Sequence, residues 1–147
     1  METFRGLPLH PLVVHAVVVL LPLATLCVAA HAVWPAARRR LGAVTPLLAL
    51  LCVALVPIAT TSGHRFAARL FGDRPPPLVL RHEQLAGRML PWTIGLAVVA
   101  VGVWWSGRRP LPRWARFGMA AVALVVAAGT AYTVAQVGEA GARAAWG

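Results

Sequence analysis

Four apolar stretches, Pro11 to Trp34, Leu41 to Ser62, Leu85 to Trp105 and Trp114 to Val137, occupy most of a 147-residue chain. Each supplies the roughly 20 residues that a helix needs to cross a hydrocarbon core about 30 Å thick. Lipid offers no partner to a bare N–H or C=O, so each stretch must close its backbone hydrogen bonds internally. The connections are short, which brings successive helices back beside one another. The expected fold is therefore an all-α membrane protein, four transmembrane helices in an antiparallel bundle forming a single domain over residues 1–147. Composition agrees, because 12% charged residues is half of the roughly 25% usual in a soluble domain.

The formal charge of +10 comes from 14 arginines and no lysine. On a soluble domain that balance would suggest nucleic-acid binding. Here the arginines fall at helix ends and in connections, where they anchor to lipid headgroups, so the partner is the bilayer and no nucleic acid is expected. Cys27 and Cys52 lie inside apolar stretches and read as small core residues. The first stretch ends in the signal-like Ala30, His31, Ala32, but it is long, contains His15 and Pro22, and follows only Arg5, so it is expected to stay as a helix.

Along the chain, Pro11 suits the first turn of a helix and Pro22 invites a kink. Arg38, Arg39 and Arg40 form a tight turn. Thr60, Thr61 and Ser62 are placed to bond the carbonyls freed by Pro57. In residues 64–71, Phe66, Leu70 and Phe71 share one side at helical spacing, which predicts a short amphipathic interfacial helix between helices 2 and 3. Three prolines end it. Ala123, Ala127, Ala131 and Ala135 place a small residue at every fourth position, a face for close packing that could support a homo- or hetero-oligomer.

The arginines divide seven and seven between the two sides. Those of the tight turns, Arg38, Arg39, Arg40, Arg108, Arg109, Arg113 and Arg116, are the denser set, and all four acids lie opposite. The reading is a multi-pass protein of the bacterial inner membrane, with these turns in the cytoplasm and both termini outside.

Helix parity brings His10, His15, His64 and His82 to one membrane side with Glu83, Thr60, Thr61, Tyr132, Gln136 and Glu139, while His31 lies alone at the other. Three readings follow. The histidines form a structural cluster bonded to carbonyls and carboxylates. Alternatively His15 and His82, with His10 nearby, hold haem b as a membrane redox module, since imidazole suits haem iron. In the third, His10, His15, His64, His82 and Glu83 supply a divalent-metal site. No spacing is diagnostic, and no side-chain set resembles a hydrolytic nucleophile with its base, so a non-enzymatic role is expected.

The segments LHPLVVH at residues 9–15, RHEQLAG at 81–87 and VGEAGARAAW at 137–146 resemble a family of small four-helix bacterial membrane proteins known as a domain of unknown function. The resemblance implies four membrane helices, with His10, Pro11 and His15 opening the first and His82 the third. It implies haem or metal binding only through those histidines. Relatives often carry glycine then glutamate where this chain has Gly63 and His64, and glycine then histidine where it has Gly138 and Glu139. The apparent exchange predicts a structural pair between His64 and Glu139, closing helices two and four by a charge-assisted hydrogen bond.

Overall fold

The computed structural model describes residues 3–4 and 7–147, with side chains from Leu9 onward. Two short strands, β1 (Thr3–Phe4) and β2 (Leu7–Pro8), pair antiparallel before the first helix, with Thr3 opposite Pro8 and Phe4 opposite Leu7. Six helices follow: α1 (Leu9–Val33), α2 (Pro35–Leu41), α3 (Val44–Phe71), α4 (Pro77–Gly87), α5 (Met89–Ser106) and α6 (Arg113–Trp146). Four helical segments are long and apolar enough to span a membrane: α1, α3, α4 together with α5, and α6. The long helices form a ring, α1 packing on α3 and α6 while α5 packs on the same two.

The core is built from small and branched side chains. Leu21, Val28, Cys52, Val56 and Leu96 are fully buried among Ala24, Ala49, Ala100 and Ala123. Small residues let backbones approach, which is how membrane helices gain packing energy when lipid is as apolar as leucine. Threonine hydroxyls in this interior return to their own helix: Thr25 donates to Leu21 O, Thr93 to Met89 O and Thr133 to Gly129 O, each at 2.8 Å. Outside, Leu26, Val98 and Val125 are about two-thirds exposed, an apolar belt that only lipid covers comfortably.

Helix ends differ from the sequence expectation in instructive ways. The second span does not stop at Ser62, because nothing in HRFAARLF breaks a helix; α3 runs on until Gly72 takes a left-handed φ of 61°. Residues 64–71, expected as a separate amphipathic helix, are therefore the last turns of α3, and the third span opens instead with α4 at residues 77–87, which has Pro77 in its first turn. At Arg88 the backbone stays helical, with φ −80° and ψ −11°, so α4 passes almost directly into α5. The arginine turn is itself the helix α2, closed by Gly42 at φ 46°. The hydroxyls beyond Pro57 bond one turn nearer than expected: Thr60 and Thr61 donate to Pro57 O itself, at 3.1 and 2.7 Å, and Ser62 to Ala59 O.

Candidate functional site

His10, at the start of α1, is half-buried against α3. Its Nδ1 lies 3.1 Å from Ala59 O and 3.3 Å from Ser62 Oγ. A carbonyl can only accept, so Nδ1 carries the proton and Nε2 keeps its lone pair. The ring also stacks on Phe66, with centroids 5.9 Å apart. His82, on α4, repeats the arrangement across the bundle, its Nδ1 donating to Val137 O of α6 at 3.1 Å. Each ring rests on a glycine: a Cβ at Gly63 would stand 2.7 Å from His10 Cε1, and one at Gly141 3.0 Å from His82 Cε1. The same end of the bundle thus presents two imidazoles in one tautomer, each clasping two helices.

The other expected participants go elsewhere. His15 is exposed and its Nδ1 donates to Pro11 O of its own helix at 2.6 Å, facing outward rather than toward His82. His64 is drawn to Glu83, with Nδ1 3.6 Å from Oε1, and that oxygen is buried with no donor at hydrogen-bond distance among the described residues. Glu139 is held by Arg143 of its own helix at 2.6 Å. The arginine one turn along α6 satisfies the carboxylate locally, so each member of the expected His64–Glu139 pair has a different partner. Gln136 likewise donates to Tyr132 OH within α6 at 2.9 Å. Among the described residues no three His, Cys, Asp or Glu side chains converge to hold a metal ion; the set His10, His15, His64, His82 and Glu83 is divided between outward-facing and clasping positions.

His31 is the residue that sequence reasoning passed over. It is buried, with Nδ1 3.1 Å from Thr45 Oγ1, and ties the far end of α1 to α3 as His10 ties the near end. Arg38 folds back from α2 to donate its Nε to His31 O at 2.8 Å and its Nη2 to Ala32 O, occupying carbonyls that the end of α1 leaves open. A histidine and a threonine fourteen residues apart, on either side of a tight helical connection, were the available signal. The alanine stripe divides: Ala123 and Ala127 are buried inside the bundle, while Ala131 and Ala135 are exposed.

The family model described as a predicted membrane protein (DUF2231) matches residues 6–147. The chain belongs to this family. It is a multi-pass membrane protein whose spans sit in a lipid bilayer, and the family carries no assigned activity. No curated protein and no solved structure matches the chain.

Proposed function

We propose that the protein is a membrane redox module in which His10 and His82 hold haem b through their Nε2 atoms. One observation carries the reading: both rings give the Nδ1 hydrogen to a backbone carbonyl. Ligating imidazoles share that orientation, which fixes the tautomer and raises the basicity of the other nitrogen. A bare divalent ion needs three or more protein donors, and the described residues gather no such set. Haem brings four nitrogens of its own and asks the protein for one or two. Bound haem would supply one-electron chemistry, while the chain's part is to orient the rings: Ala59 O and Val137 O fix the tautomer, and Gly63 and Gly141 admit the rings to the helix surface. In this reading residues 1–147 are one domain of the bacterial inner membrane, with the arginine end cytoplasmic and the histidine end outside.

The absorption spectrum of protein purified from haem-replete cells tests it. A Soret band that His10→Ala and His82→Ala abolish, and that survives His15→Ala, is the expected result. A colourless protein that takes up no added haemin would end the redox reading.

A second reading, a non-catalytic accessory protein, rests on α6. This span is the least covered within the bundle, and it leaves Ala131 and Ala135 exposed to a partner helix. Cross-linking at Ala131→Cys in native membranes tests that face.

A further inference from the structure

At the opposite end of the bundle, where α1 leads into α2 and α5 turns into α6, lies a cavity of about 500 Å³. That volume is within the usual range for a small-ligand site. Its wall includes His31, Arg38, Arg39, Trp104, Arg108 and Arg116. We infer that this cavity binds a phosphate-type oxyanion. Four arginines line it, and the described acids lie at the other end of the bundle: Asp73 follows α3, Glu83 lies in α4 and Glu139 in the last part of α6, all at the histidine end. Like charges gathered without a counter-ion repel, and an anion seated among them removes that cost.

Two of the four arginines are already held in place. Arg38 spends two of its N–H donors on His31 O and Ala32 O. Arg108 lies over the Trp104 ring, 3.7 Å from its centroid, with Nη1 donating to Trp104 O at 3.1 Å. Each retains further donors, since a guanidinium carries five. Arg39 and Arg116 are exposed, and Trp104 Nε1 is a buried donor with no acceptor among the described residues. The wall is thus rich in donors, and planar guanidinium forks match the oxygens of phosphate two at a time. Trp34, Trp105 and Trp114 are exposed around the same end, which sets the cavity at headgroup depth. The phosphate could belong to an anionic lipid or be free in solution; both present the same oxygens.

Full-length protein in detergent separates the two sources. One arm titrates inorganic phosphate against chloride at matched ionic strength, following the thermal midpoint. The other measures retained phosphatidylglycerol by native mass spectrometry, with phosphatidylcholine as the comparison. Binding in the first arm alone identifies free phosphate, and in the second alone the lipid. In whichever arm binds, Arg39→Gln with Arg116→Gln is expected to weaken affinity by about tenfold or more, and each single change by about threefold, as for lost charge-assisted hydrogen bonds. Arg40→Gln with Arg113→Gln removes the same charge from the same two helices, α2 and α6, but outside the cavity, and should leave affinity within about twofold. Equal losses from the two double variants, or no binding of either probe to the unaltered protein, would overturn the inference.

Discussion

The imidazole of His10 occupies the space left by the missing side chain of Gly63, its Cε1 only 2.7 Å from where a Cβ would stand. No Cβ tolerates that approach, so Gly63→Ala must displace the ring and its bond to Ala59 O. In protein labelled with 15N-histidine, the Nδ1–H signature of His10 should be lost in Gly63→Ala and kept in Ser62→Ala. The same change at Gly141, where the approach is 3.0 Å, should perturb His82 more mildly.

Gly129 accepts the Trp92 ring, which lies where a Cβ would stand. Here two long helices meet, and α5 cannot withdraw without opening the core. Gly129→Ala should destabilise the bundle by about 1–3 kcal/mol, the usual cost of overpacking. Thermal unfolding in detergent followed by circular dichroism reads this directly; an unchanged midpoint would contradict the packing.

Thr45→Val removes the hydrogen-bond partner that the buried His31 side chain has among the described residues. Leaving a buried polar group unsatisfied costs about 1–3 kcal/mol. The melting midpoint should fall, while Thr45→Ser, which restores the hydroxyl, should recover most of the loss.

Ala127 lies inside the bundle and Ala131 outside it. Ala127→Leu should therefore unfold or loosen the monomer, whereas Ala131→Leu should leave its melting unchanged and affect only helix association. Detergent melting curves beside size-exclusion profiles distinguish these outcomes.

His64 and Glu139 have separate partners, Glu83 and Arg143. A double-mutant cycle with His64→Ala and Glu139→Ala should be additive within about 0.5 kcal/mol. The exposed Glu139–Arg143 pair, one turn apart on α6, should contribute only about 0.3–0.5 kcal/mol.

The four spans were legible because a run of some twenty apolar residues has few other uses, and helix parity was enough to bring His10 and His82 to one end. Span ends were harder to read. Polar residues such as His64 and Arg65 do not stop a helix that emerges into headgroups, and only the glycine at position 72 ended α3. The outward turn of His15 was legible and overlooked: five residues at 3.6 per turn put it about 140° around the helix from His10. The contacts of Gly63, Gly129 and Gly141 were not legible, since each depends on which ring of another helix arrives opposite. His31 was hidden for a similar reason, its partner lying beyond a connection that compresses fourteen residues into one contact.

The length of α6 sets the electrical position of His82. Its 34 residues span about 51 Å at 1.5 Å per residue, well beyond a hydrocarbon core of about 30 Å. With Arg113 and Trp114 anchoring one interface, Val137 and Gly141 emerge at the other, and His82 is bonded to the first and packed against the second. A charge placed on that imidazole from the adjacent aqueous phase would cross little of the transmembrane field. In the proposed redox reading, charge exchange there would answer to the composition of one compartment and be nearly blind to membrane voltage.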